Sequence, residues 1–339
     1  MIKVSSPSNI AIVKYWGKFG RQLPRNASVS FTLTNAVSQT TMKYQTRQGS
    51  ATKLAFLLDG LDKPGFAQKI EKFFKGIEDY MPFLQDFDFE FESHNTFPHS
   101  SGIASSASGM SAVAMCICQM ELELGLAEKL DMQKVSLLSR LGSGSACRSV
   151  FPVMAVWGEH EAWQGSSNEF AICIKDEVHD IFHQFHDDIL IVSDREKSVS
   201  STAGHGLMDT NPYAATRYNQ ANKHMTDLKS ILKTGDVEAF GTLAEMEALT
   251  LHALMMCSDP SYMLMQAGTV EVIHRIRNFR AQSKLPIYFT LDAGPNVHIL
   301  YPDSIYAQAV NFIQHELLPL THNGLILADR VGQDTKLEF

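Results

Sequence analysis

Five serines and two glycines fall within the ten positions Ser100-Ser-Gly-Ile-Ala-Ser-Ser-Ala-Ser-Gly109, in a stretch that begins at Pro98. Hydroxyls and glycines at this density suit the binding of an anion. The first amides of a helix lack intrahelical partners, its dipole favours negative charge, and glycine lets backbone come close to a ligand. The flanking sequence supports that geometry. Asp86-Phe-Asp-Phe-Glu-Phe-Glu92 alternates charge and Phe, which reads as a half-buried strand. Met110 to Leu124 is mostly apolar and long enough for a buried helix. A second reading stays open, in which Ser105, Ser106 and Ser108 only cap that helix.

Three further segments carry groups able to act on phosphate or carboxylate. Lys14-Tyr-Trp-Gly-Lys18 places two lysines four apart. On a helix that spacing repels by roughly 0.2–0.5 kcal/mol, and an anion between them would reverse the sign. The alternative is two solvated lysines flanking a packed Trp16. Gly142-Ser-Gly-Ser-Ala-Cys-Arg-Ser149 is a second Ser/Gly loop, and its Arg148 offers a planar fork for carboxylate or phosphate. An ordinary connector has a similar composition. Asp292-Ala-Gly-Pro-Asn296 is either a hairpin turn or a carboxylate projected from a strand end as a base. His179, His183 and His186-Asp-Asp188 have metal-like spacing but read as a solvated connector. GxxxxGK[ST] and HExxH are both absent.

The elements that must position these groups mix strand and helix without a regular βαβ beat. Strands are expected at Ser28–Leu33, Thr40–Tyr44, Leu54–Leu58, 86–92, Ser149–Trp157, Phe170–Ile174, Ile189–Val192, Ile287–Leu291, Val297–Tyr301 and Gly324–Ala328. Helices are expected at Phe66–Tyr80, 110–124, from Asp131 as cap to Leu141, through much of 211–282, and at 303–316. The pattern predicts an α+β chain in two lobes, 1–185 and 186–339. At 339 residues and 45% apolar content it can bury a substantial core. A net charge of −8 with no basic block argues against nucleic acid as a partner. Five cysteines, odd in number and without CxxC spacing, argue for a reducing, cytoplasmic setting. No run approaches the roughly 18 apolar residues of a membrane span, and no signal-peptide core is evident.

Taken together, Ser6-Pro-Ser-Asn-Ile-Ala-Ile-Val-Lys-Tyr-Trp-Gly-Lys18, the loop from Phe97 to Ala107, the Gly142–Ser149 segment and Asp292–Asn296 resemble the diphosphomevalonate decarboxylases. These belong to the galactokinase/homoserine kinase/mevalonate kinase superfamily. Val199-Ser-Ser-Thr202 is a weaker fifth match. The resemblance implies a two-lobed superfamily kinase fold. Its N-terminal lobe is like ribosomal protein S5 domain 2, its C-terminal lobe is ferredoxin-like, and a cleft lies between them. It implies phosphorylation of a 3-hydroxyl by ATP, followed by loss of phosphate and CO2, on a small phosphorylated substrate, in a homodimer. It implies Asp292 as base, Lys14 against the transferring charge and Arg148 on the substrate carboxylate. Tyr15, Lys18, Ser143, Ser145 and Ser201 would hold the substrate. Gly102, Ala104, Ser105, Ser106 and Ser108 would cradle ATP, with Mg2+ on the phosphates and Ser105.

Two motifs depart from the family pattern. Pro98-His-Ser-Ser-Gly102 stands for Pro-Thr-Ala-Ala-Gly, and Ser200-Ser-Thr-Ala-Gly-His205 for Ser-Ser-Thr-x-Gly-Met. Residues 203–217 also look rearranged. The substrate this resemblance implies is (R)-5-diphosphomevalonate, giving isopentenyl diphosphate, with mevalonate 5-phosphate or another small alcohol as the alternative. A superfamily kinase that stops at phosphorylation, and a non-catalytic binding protein, remain as alternatives.

Overall fold

β-branched and aromatic residues dominate the first part of the chain, and there it forms strands. In the computed structural model, residues 1–97, 103, 105–195, 198–332 and 336–338 are described. The first half of the chain runs β1 (Ile2–Val13), β2 (Lys18–Phe19), β3 (Leu23–Pro24), β4 (Ser28–Thr46), β5 (Leu54–Leu58), β6 (Leu61–Asp62), α1 (Pro64–Gly76), β7 (Phe87–Asn95), α2 (Ser105–Glu123), α3 (Met132–Gly142), α4 (Ala146–Ser149), β8 (Met154–Trp157) and β9 (Ala171–Cys173). The second half runs α5 (Asp180–His183), β10 (Phe185–Leu190), α6 (Ser201–Gly206), α7 (Ala214–Thr234), α8 (Val237–Met256), α9 (Ala267–Ser283), β11 (Tyr288–Thr290), β12 (Val297–Pro302), α10 (Tyr306–Phe312), β13 (Ile326–Leu327) and β14 (Lys336–Glu338).

The fold is α+β, with one large sheet in each half. The first sheet has the order β14-β1-β4-β7-β5-β6, and β8 and β9 extend it from β4. Its pairs are antiparallel except β5 with β7. The second sheet has the order β11-β12-β10-β13 and is antiparallel throughout. The apolar helix α2 lies buried on the first sheet, and Cys116 and Cys118 are inside it. Asp131 caps α3 as expected, accepting from the Gln133 and Lys134 amides. In the second half, α8 comes close to β11. A Cβ at Gly241 would stand 2.1 Å from the Tyr288 ring, so only glycine permits that approach.

Three local expectations change. Ser28–Leu33 and Thr40–Tyr44 are one strand, β4, not two. The chain stays extended through Thr34–Ala36 because the Asp329 carboxylate accepts the Thr34, Asn35 and Ala36 amides in the gap between the two stretches of β4 that pair with β1. The run His186-Asp-Asp188 is not a solvated connector but part of β10, with Asp187 and Asp188 buried. Buried carboxylates need partners. Asp187 receives His298, and Asp188 receives the Tyr301 hydroxyl at 2.6 Å. Among the described residues, no three His, Cys, Asp or Glu converge on a metal site. The third change concerns the C-terminal lobe expected over 186–339. Its last strand, β14, crosses back and pairs with β1.

That return has a definite geometry. The chain leaves the first half at Phe185 and comes back at Arg330–Gly332. The two passages are hydrogen-bonded to each other, Val331 N–H donating to Phe185 C=O at 2.9 Å. Gly332 N–H then donates to Thr32 C=O at 2.7 Å in β4.

Candidate active site

Asp292 stands just after β11, in a loop pinned at several points. The Asp292 carbonyl accepts the Gly294 amide at 2.8 Å and the Nε2–H of His252 at 3.1 Å. Pro295 C=O accepts the Thr269 hydroxyl, and Asn296 Oδ1 accepts the Ser193 amide. This is a held loop, so the carboxylate projects from a fixed base. His252 is almost fully buried; burial pushes its pKa down to about 4, and it donates as a neutral imidazole.

Lys14 reaches Asp292 from the end of β1. Its Nζ is 3.0 Å from Asp292 Oδ1, and the lysine side chain is 2% exposed against 25% for the carboxylate. The pair therefore presents its acid side to solvent. Burial lowers the ammonium pKa, and the Asp292 charge opposes that shift. Lys18 does not join this site. The segment is not a helix: Lys14–Gly17 is irregular, Gly17 has φ +99° and Lys18 begins the short ribbon β2–β3. Lys18 Nζ donates to Gln22 Oε1 instead, so the structure does not assemble the two-lysine clamp.

Arg148 lies in α4, fully buried, with its guanidinium over the Trp157 ring. Nε donates to Ser30 Oγ at 2.9 Å, Nη1 to Ser28 Oγ at 2.6 Å and Nη2 to Asn9 Oδ1 at 3.4 Å. These partners are all neutral. Among the described residues, no carboxylate lies at ion-pair distance from it. Burial lowers its pKa, and the Asp292 charge acts the other way. A buried cation held only by neutral groups is costly unless an anion arrives. Asn9 also donates to Ser145 C=O and Ser149 Oγ, tying β1 to this loop.

Tyr15 packs against Trp157 and His205, with ring centroids 4.6 and 4.3 Å apart, and burial raises its pKa. His205 also packs on Trp16 and accepts the Gly17 amide at 2.9 Å. The unusual residue of the Ser200–His205 motif thus anchors the loop that follows Lys14. Ser201 is exposed at the start of α6. Ser143 and Ser145 are partly buried at the ends of α3 and α4. Ser143 Oγ is 3.4 Å from Ser106 Oγ, which brings the two Ser/Gly segments together.

α2 begins at Ser105, five residues earlier than expected. Ser105 and Ser106 form its first turn, and Ser106 is exposed. Ser108 points the other way. It is buried, with its hydroxyl 2.7 Å from Ser38 Oγ in β4, so the structure does not offer it to a ligand. Ser111 does the same with Ser6 in β1. Part of the serine richness therefore packs a helix closely on a sheet. Gly102 and Ala104, and with them Pro98–Ser101, lie outside the described residues.

Several residues of the site carry no motif signal. Glu247, Arg217 and His224 form a buried cluster against the main chain of Lys14. The one hint is a pair of acidic residues, Glu245 and Glu247, inside an otherwise apolar stretch, Leu243-Ala-Glu-Met-Glu-Ala-Leu249. His252 sits on the same helix.

A lysine–carboxylate pair drawn from two sheets, beside a buried cation awaiting an anion, defines an enzyme acting on a charged small molecule. Residues 6–169 match the diphosphomevalonate decarboxylase-like N-terminal domain, and 188–335 the mevalonate 5-diphosphate decarboxylase C-terminal domain. The chain belongs to the diphosphomevalonate decarboxylase family, a family of carboxy-lyases. It is 30% identical to the diphosphomevalonate decarboxylases of Debaryomyces hansenii and Saccharomyces cerevisiae. The matches cover 88% of this chain and 78% and 77% of those proteins. Among solved structures, the mevalonate diphosphate decarboxylase of Staphylococcus aureus superposes with a TM-score of 0.86 at 26% identity, covering 100% of this chain and 99% of that one. A structure of MDDEF in complex with MVAPP, AMPPCP and magnesium superposes with a TM-score of 0.85 at 27% identity, covering 99% and 98%. The expected two-lobed superfamily fold is thus the fold of this chain.

Proposed function

We propose that this chain catalyses the ATP-dependent decarboxylation of (R)-5-diphosphomevalonate to isopentenyl diphosphate. The observation that carries the reading is the Lys14–Asp292 pair at 3.0 Å, within the electrostatic reach of a buried Arg148 that has only neutral partners. Asp292 is placed to accept the proton of the 3-hydroxyl. ATP supplies the phosphoryl group, with Mg2+ screening the phosphate oxygens. Lys14 pairs with the Asp292 carboxylate and faces the charge in transit. Arg148 holds the substrate carboxylate so that its C–C bond is aligned to break. As that bond breaks, its electron pair forms the new C=C bond and phosphate departs from C3.

Tyr15, Ser143, Ser145 and Ser201 border the substrate on this reading. Ser105 and Ser106 fit a phosphate, standing in the first turn of a 19-residue helix whose opening amides lack helical acceptors. Ser105, in the same turn, would help to hold Mg2+ against the phosphates. The chain folds as two lobes that change over near 186. It works in the cytoplasm as a homodimer; the cysteines are all unpaired thiols, which supports a reducing compartment. No helix among the described residues is long and apolar enough to cross a membrane.

Incubation with ATP, Mg2+ and either (R)-5-diphosphomevalonate or the 5-monophosphate tests this. One ADP and one CO2 per diphosphate consumed is expected. ADP without CO2 would leave a kinase, and preference for the monophosphate would change the substrate.

A pH dependence also follows. Lys14 must be charged to act, and its folded pKa is below the ordinary 10.5. Its proton is lost as pH rises through that lowered value. The alkaline limb of kcat should therefore fall below the usual lysine range, and a limb at or above 10.5 would remove Lys14 from the titrating step.

A further inference from the structure

The side chain of Lys14 belongs to the reacting pair, but its main chain is held from elsewhere. Lys14 follows β1, in the first sheet. Its N–H donates to Glu247 Oε2 at 2.8 Å, and its C=O accepts Arg217 Nη2 at 3.1 Å and Asn26 Nδ2 at 3.0 Å. Arg217 is in α7 and Glu247 in α8, both in the second half of the chain. The Glu247 carboxylate also accepts Arg217 Nη1 and Nη2 at 2.7 and 2.6 Å, and His224 Nδ1 at 2.5 Å. Every charged member is buried, and Glu247 is 0% exposed.

An ion pair buried this deeply is a poor way to gain stability, because desolvation offsets the attraction. An apolar contact would serve packing better, and the rest of this face of α8 is apolar, with Leu243, Ala244 and Leu251 in the core. Glu245, two residues earlier, makes the contrasting case. It pairs with Arg280 in α9, inside the second lobe, and touches nothing in the site. Burial works to raise the Glu247 pKa, yet Arg217 and its hydrogen-bond donors hold it at about 2, so the acceptor is always charged.

The other member of the reacting pair is held by the same helix. His252, five residues beyond Glu247 on α8, donates to the Asp292 carbonyl at 3.1 Å. We propose that α8 is the common template of the Lys14–Asp292 pair, with Glu247 and His252 as positioning residues that fix the two main chains from one rigid element. The separation of ammonium and carboxylate is then set within α8 and does not vary with the relation of the two sheets.

The inference rests on the functional reading above, and a double-mutant cycle tests it. Glu247→Gln keeps the shape and removes the charge. Misplacing a reacting group by a fraction of an ångström is costly, so kcat should fall about 30-fold with both KM values within about threefold. In a Lys14→Met background the same substitution should cost less than about threefold further, because the residue it acts through is gone. Losses that multiply in full, or a single variant with kcat within threefold of the parent, would overturn the proposal. Should Glu247→Gln fail to fold, His252→Phe against Asp292→Asn gives the same cycle with the same two outcomes. A parent chain that does not turn over the diphosphate removes the functional reading and this inference with it. Turnover by the parent with multiplying losses removes the inference alone.

Discussion

Asp292→Asn should lower kcat about 1,000-fold while ATP binds within about threefold of the parent. The amide is nearly isosteric and can still accept a hydrogen bond from Lys14 Nζ. It cannot take the hydroxyl proton, and it carries no charge to answer the ammonium. A thousandfold loss is about 4 kcal/mol of barrier. The same change removes the neighbour that most raises the Lys14 pKa and leaves burial, the larger influence, opposed only by the weaker effects of Glu247 and Asp187. The alkaline limb of any residual activity should therefore move to still lower pH. Steady-state kinetics across pH, with nucleotide affinity by calorimetry, separates the two effects. A kcat within tenfold of the parent, about 1.4 kcal/mol, would show that Asp292 is not the base.

Arg148→Lys should lower kcat/KM for the diphosphate substrate by about 100-fold, with the effect concentrated in KM for the acid substrate and not for ATP. The guanidinium satisfies Ser28, Ser30 and Asn9 at once through three different nitrogens. An ammonium is a point charge on a flexible stem and cannot span them while also meeting a carboxylate with two parallel bonds. The charge survives the substitution, so a purely electrostatic role would leave activity near normal. Parent-like kcat/KM in this variant would take Arg148 out of the carboxylate clamp. Stability should drop as well, since a buried hydroxyl or amide loses its donor, a cost of about 1–3 kcal/mol that urea unfolding would read.

What could be read in advance divides by the range of the interaction. Lys14, Arg148 and Asp292 stood out because each sits in a short segment whose neighbours are chemically unusual. The α3 cap was legible because Asp131 and the amides it accepts are two and three residues apart. The start of α2 was missed because Ser and Gly read as loop formers. Their inward hydroxyls pair with Ser38 and Ser6, some 70 and 105 positions away, and that pairing outweighs local preference. The burial of Asp187 and Asp188 escaped for the same reason, since His298 and Tyr301 lie more than a hundred positions on. Glu247 was the least legible. An acid on the buried face of an apolar helix must find a partner, and nothing nearby in the chain says which.

The paired passages at Phe185 and Val331 have a mechanical consequence. Two hydrogen-bonded chains side by side make a flat strap, not a single tether. Such a strap flexes across its thin dimension and resists sliding within its plane, because sliding would break the Val331–Phe185 bond and the Gly332 anchor on β4. Bending of the strap would leave the Lys14–Asp292 pair undisturbed, because both main chains are anchored on α8.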